Sequence, residues 1–186
     1  MGFTRALEFV LKEEGRGCYQ VPGETWVTCF GISQKHNPDL EFPLTYDEAA
    51  RIYKERYWNR AGCDNLPDDW ALAVFDTAVN LGVSRATRMK RESKTLLDFL
   101  SLRLAYYADL EIFDRYGRGW TRRVARLQRE LSTLRPTEGR VDALIDNRGL
   151  LVRLLAAVKG ISGPVRYNIR PMTSSKDGTK IDVDAA

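Results

Sequence analysis

LKEEGRGCYQVPGETWVTCFGIS, residues 11–33, is the stretch on which the fold turns. Phe3, Ala6, Leu7, Val10 and Leu11 lead into it at helical spacing, so a helix is expected over 3–14. That helix stops on Glu13, Glu14 and Gly15. Gly, Pro, Thr and aromatic residues then dominate, which predicts a loop or short β-hairpin region at about 15–42, with a small helix near 33–37. The acidic pair is in an odd place. Carboxylates at a helix C-terminus oppose the negative end of the helix dipole, where basic groups would stabilise. Two readings stand: an ordinary solvated pair, or a carboxylate placed there for chemistry.

Working outward, LTYDEAARIYKERYW (44–58) opens with Thr45 and sets Glu48 three residues later, the capping-box pattern. Ala49, Ile52, Tyr53 and Tyr57 then keep one face apolar. In LPDDWALAVFDTAVNLG (66–82), Pro67, Asp68 and Asp69 suit a first turn and Gly82 a C-terminal cap. A short basic helix is expected over 84–92 and a long one over 94–116, ending before Gly117. Another starts with Thr121 as cap and is stopped by Pro136. Two more helices are expected near 137–147 and 149–159, then a turn-rich end with a hairpin signal at Asp177-Gly178. Strands and helices do not alternate, which argues against a parallel α/β plan, and no glycine-rich phosphate loop is present. The expected fold is mainly α and of α+β type: a helical bundle carrying a small hairpin or loop region.

Composition sets wider bounds. The 186 residues carry a net charge of +4 with a pI near 9.0, which favours anionic partners without choosing among them. No run approaches the ~18 consecutive apolar residues of a membrane span. The N-terminus mixes apolar and charged residues, so no secretory signal is read there; synthesis in the cytoplasm is expected, with release by other means. Cys18, Cys29 and Cys63 are odd in number and form no CxxC pair, and His36 is the only histidine. A metal site and a Cys/His nucleophile are therefore disfavoured against three small buried cysteines.

A carboxyl at the end of a buried helix can protonate a leaving oxygen if it faces a cleft. Glu14 suits this better than Glu13, because Gly15 lets the backbone turn away behind it. FVLKEEGRG (9–17), TCFGIS (28–33), LTYDEAARIYKERYW (44–58) and the Asp76–Gly82 segment, in this order, resemble the glycoside hydrolase family 108 N-acetylmuramidases, lysozyme-like enzymes of phage endolysins. Further on, RLAYYADLEIFDRYGRGWTRRVARL (103–127) resembles the end of the peptidoglycan-binding region that commonly follows in that family, with Gly119-Trp120-Thr121-Arg122-Arg123-Val124 matching closely.

The resemblance implies a lysozyme-like muramidase domain over 1–92, a helical peptidoglycan-binding-like region over 93–135 packed on it and reduced in size, and an extension over 136–186. It implies cleavage of the β-1,4 bond between N-acetylmuramic acid and N-acetylglucosamine, with Glu14 as general acid and no cofactor or metal. Thr28 and Glu24 are the candidates for handling water. Thr25 competes with Thr28 for the family's threonine, but Thr28 keeps the Thr-x-aromatic-Gly-Ile unit whole. The sequence departs from the pattern at Arg16, where the family has a second glycine, and at Val21-Pro22-Gly23-Glu24, where the loop aspartate is missing.

Trp26, Tyr57, Asp76 and Asn80 are the candidate substrate contacts. Asp76 and Asn80 lie four apart on one helix face, where they either line the sugar cleft or tie elements together. Peptidoglycan glycan strands are the expected partner. The arginines at 115, 118, 122, 123, 126, 129 and 135 are candidates for drawing the chain to anionic wall or outer-membrane polymers. No nucleic-acid motif accompanies them, so no nucleic-acid partner is expected. A holin, a virion or a secretion particle would release the protein to the periplasm or wall. The alternative is a catalytically impaired, peptidoglycan-binding or structural component of a phage particle.

Overall fold

The computed structural model describes residues 2–134. Its centre is a helix, α3 (Asp68–Leu81), in which every residue from Ala71 to Ala78 is buried. A helix buried all round must be enclosed by other elements. Here α1 (Phe3–Glu14), α4 (Val83–Glu92), α5 (Leu96–Ala108) and α6 (Phe113–Leu134) all pack on it. Phe75 anchors the inner layer, with edge-to-face contacts to Phe3, Tyr53 and Trp58. Trp58 is buried without leaving its N–H unsatisfied, since the indole donates to Asp64 at 2.7 Å.

The mainly α, α+β expectation holds, and so do most local signals. α1 ends on Gly15, whose φ of +113° suits only glycine at low cost. α2 (Tyr46–Tyr53) starts at the Thr45–Glu48 capping box and continues as a π-helical turn over Lys54–Trp58. Gly82, at φ +88°, closes α3 and opens α4. The 15–42 region holds a three-stranded antiparallel sheet in the order β1 (Cys18–Gln20), β2 (Val27–Cys29), β3 (Ile32–Ser33), followed by a 3₁₀ turn at Gln34–His36. Cys18 faces Cys29 across β1 and β2, and the two form a disulfide.

The expected helices of 94–116 and 121–134 are divided differently. A second capping box, Thr95 with Asp98, starts α5, which stops at Ala108. α6 then begins at Phe113 and passes through Gly117 and Gly119 without a break. Gly117 is needed for contact rather than for a stop. A Cβ there would lie 2.5 Å from the Phe113 ring, so the ring occupies the space of the missing side chain. Thr121 is accordingly not a cap: it sits inside α6, and its hydroxyl donates to the Gly117 carbonyl at 2.9 Å. The helices expected at 137–147 and 149–159, the Pro136 stop, Arg135 and the hairpin at 177–178 lie outside the described residues.

Candidate active site

The acidic pair of α1 is not left to solvent alone: both glutamates are ion-paired. Arg126 of α6 grips Glu13 with two bonds, Nε at 2.7 Å and Nη2 at 2.6 Å. Arg123, one turn earlier on α6, donates from Nη1 to Glu14 Oε1 at 2.6 Å. Two adjacent glutamates are thus matched by two arginines three apart, which share a helix face. Both arginines are cations supplied across the chain to a helix end where carboxylates are otherwise unfavourable. Glu14 keeps 24 % of its side-chain surface exposed, and its Oε2 accepts no hydrogen bond among the described residues.

The β2–β3 turn packs against Glu14. Phe30 and Gly31 form this two-residue turn, and both have positive φ, +53° and +78°. That is the pattern of the hairpin turn whose twist matches paired strands. Phe30 is a non-glycine residue in the left-handed region, which costs on the order of 1 kcal/mol. Its carbonyl is held by the Tyr53 hydroxyl at 2.8 Å. Burial first, and then the nearby Glu14, raise the Tyr53 pKa above the ordinary tyrosine range, so this phenol remains a donor. Gly31 passes close over the acid: a Cβ there would meet Glu14 Cβ at 2.7 Å and the Tyr53 hydroxyl at 3.1 Å. Gly31→Ala is therefore expected to displace the Glu14 side chain. Activity should fall about tenfold or more, with about 1–3 kcal/mol of stability lost in a urea melt.

Behind Glu14 lies a buried chain of charges. Asp76, 0 % exposed, accepts Arg123 Nε at 3.0 Å and Nη2 at 2.8 Å on Oδ1. Its other oxygen, Oδ2, accepts Arg103 Nη1 at 2.6 Å, and that nitrogen also meets Thr77 Oγ1 at 3.0 Å. Arg103 Nε donates to the Tyr107 hydroxyl at 2.9 Å, and Tyr107 in turn donates to Asn80 Oδ1. Burial would lower the Arg123 pKa, but Asp76 and Glu14 outweigh it and hold the guanidinium charged.

Of the two roles open to Asp76, lining the sugar cleft or tying elements together, this geometry supports the second. Asp76 has no surface to offer a substrate, and both of its oxygens are committed to arginines. Asn80 is part-buried at the far end of the same chain. Thr28 occupies the middle strand, paired with Tyr19 and Ser33, directly before the disulfide-bonded Cys29. Glu24 lies in the exposed β1–β2 loop, where its backbone closes a turn on Val21. Trp26, 44 % exposed, stands at the same loop's exit, and Tyr57 is part-buried against Tyr53. Cys63 is free and buried, and burial with Asp64 pushes its thiol up to about 12, so it supplies no thiolate nucleophile near neutral pH. Among the described residues no group of three or more His, Cys, Asp or Glu is arranged to hold a metal ion.

Compared with known families, residues 7–82 match the model of glycosyl hydrolase 108. This segment is similar to a glycosyl hydrolase 108 domain. Brucella abortus SagA, a solved structure, is similar to this chain at 27 % sequence identity and a TM-score of 0.59; the alignment covers 73 % of this chain and 97 % of that one. No curated protein sequence matches. The match to glycosyl hydrolase 108 supports a glycoside hydrolase. The domain's matched segment contains Glu14, the sheet and all of α3, whereas Arg123 and Arg126 lie beyond it.

The arginines of α6 are what a reading of the sequence misses. Residues 115–135 look like one solvated basic face, yet Arg123 is buried in ion pairs and the half-exposed Arg126 is committed to Glu13, while Arg115, Arg118, Arg122 and Arg129 are exposed. A signal for the buried chain was nevertheless present. Asp76 stands in an otherwise apolar run, and Arg103 lies between Phe99, Leu100 and Tyr107. A charge in such a setting requires a charged partner.

Proposed function

We propose that this protein is an N-acetylmuramidase that cleaves the β-1,4 bond between N-acetylmuramic acid and N-acetylglucosamine, with Glu14 as general acid. The observation that carries this reading is the state of the Glu14 carboxyl. One oxygen is fixed by Arg123, and the other accepts no hydrogen bond among the described residues, at a part-exposed helix end beneath the β2–β3 turn. A proton on Oε2 can pass to the glycosidic oxygen as the bond to the muramic C1 breaks, and the carboxylate left behind rests against Arg123. Thr28 and Glu24, on the sheet and its loop, are proposed to orient and activate water. Trp26, Tyr57 and Asn80 are proposed as sugar contacts.

The Cys18–Cys29 disulfide supports action in an oxidising space such as the periplasm or wall, since such bonds persist there rather than in reducing cytoplasm. Release through a holin, or carriage on a virion or secretion particle, belongs to the same proposal. So does attraction of Arg115, Arg118, Arg122 and Arg129, exposed on α6, to anionic wall polymers.

The direct test is the chemistry of the new chain end. Purified peptidoglycan is digested, reduced with borohydride and hydrolysed. Muramitol is the expected product, and glucosaminitol in its place overturns the bond assignment. The ion pair that occupies Glu14 gives some support to the binding-only alternative, whose signature is sedimentation with peptidoglycan and no new reducing ends.

A further inference from the structure

The glycosyl hydrolase 108 match ends at Gly82, yet the cation touching its acid stands on α6, which begins at Phe113. Arg123 is held there by a buried frame. Its Nε and Nη2 are both spent on Asp76 of α3. Asp76 is itself shared with Arg103 of α5, which is braced by Thr77 and Tyr107. Three helices thus fix the guanidinium, and Nη1 alone is directed to Glu14. The frame holds whether or not Glu14 carries a proton, because Asp76 and not Glu14 supplies most of its bonds.

The charges point the same way. Asp76 carries one negative charge against two arginines. Part of the Arg123 charge is therefore left over, facing Glu14. A donor fixed in advance where negative charge develops is the arrangement that lowers a barrier, because nothing has to reorganise as the charge appears.

We propose that Arg123 is a positioning residue for the Glu14 acid, and that α6 is part of the catalytic unit, not part of a separable wall-binding region. This rests on the reading of Glu14 as the acid. Arg123 presents Oε2 to the glycosidic oxygen by holding Oε1, and it receives the carboxylate once the proton has left. The Glu13–Arg126 pair ties the same two helices together but touches neither Glu14 nor Asp76, and so it is the natural control.

The test uses the full chain on soluble peptidoglycan fragments, with kcat and KM measured separately and the folded fraction checked by circular dichroism. Arg123→Gln is expected to lower kcat about 100-fold, with KM changed by less than about twofold. Arg123→Lys keeps a positive charge for Asp76 but cannot fork to both carboxylates, so an intermediate kcat is expected. Arg123→Ala should regain part of its kcat in millimolar guanidinium, while Arg126→Gln keeps wild-type kcat and gains nothing from the ion.

The proposal is overturned if Arg123→Gln retains wild-type kcat, or if its loss follows the folded fraction alone. It is also overturned if Arg126→Gln loses as much. Should Arg123→Gln not fold, Arg123→Lys decides: a wild-type kcat in that folded variant sinks the proposal. Full activity in Glu14→Gln sinks the underlying acid assignment instead, and an inactive Glu14→Gln beside a fully active Arg123→Gln removes this inference alone.

Discussion

Glu14→Gln is expected to lose at least about 100-fold, and up to about 10,000-fold, of glycosidase activity while remaining folded. Glutamine keeps the size of the side chain and a carbonyl oxygen that can still accept from Arg123 Nη1 at the Oε1 position. What it lacks is a proton acidic enough to give to a leaving oxygen. A thermal midpoint within a few degrees of wild type, together with absent release of reducing ends, separates lost chemistry from lost structure. Glu13→Gln is the paired measurement. Glu13 is the same residue type on the same helix end, and it is also held by an arginine, but bidentately, through both oxygens. It should retain most of the activity and lose only a little stability, the ordinary scale for an ion pair whose arginine is half exposed. Equal activity in the two variants would show that the helix-end acids serve only to dock α6.

Much of the scaffold was legible because its signals are local. The spacing of Phe3 to Leu11, the Thr45–Glu48 capping box and the glycines at 15 and 82 each specify a boundary within a few residues of chain, and each stands where it was expected. The small sheet was readable as a turn-rich interval, and the Phe30-Gly31 turn explains why it folds back over α1. The boundary between α5 and α6 was misread because Gly117 looks like a stop when its reason is a contact with Phe113. The site was half legible for a related cause. Glu14 could be singled out by its place at a helix end, but its partner Arg123 is 109 residues away, and no periodicity links them. For Asp76, sharing a helix face with Asn80 leaves both a cleft role and a structural tie open. That face is turned toward α5 and α6, where it pairs with arginines.

Asp76→Asn is expected to produce the largest stability loss of any conservative change described here. The side chain is wholly buried and holds two arginines, themselves buried. Removing its charge leaves both cations without their shared anion, and breaking a buried pair in this way costs about 3–5 kcal/mol. For a chain of this size that corresponds to a fall in thermal midpoint of roughly 10–15 °C. The pH dependence gives a sharper test than the size of the fall. Burial alone would raise the Asp76 pKa, but the charges of Arg103 and Arg123, with their hydrogen bonds, outweigh it and hold the folded carboxyl below its usual range. The unfolded chain releases this proton near the ordinary value of about 3.9. A folded pKa below the unfolded one means that the stabilisation is complete above about pH 4 and is lost as pH falls further through the folded value. The wild-type midpoint should therefore drop on acidification below about pH 4, and the gap to Asp76→Asn should narrow over the same interval, because the variant has no proton to take up at this position. A gap that stays constant down to pH 2 would mean that the buried arginines are not balanced by an ionised Asp76. The fixed guanidinium behind Glu14 would then lose its physical basis.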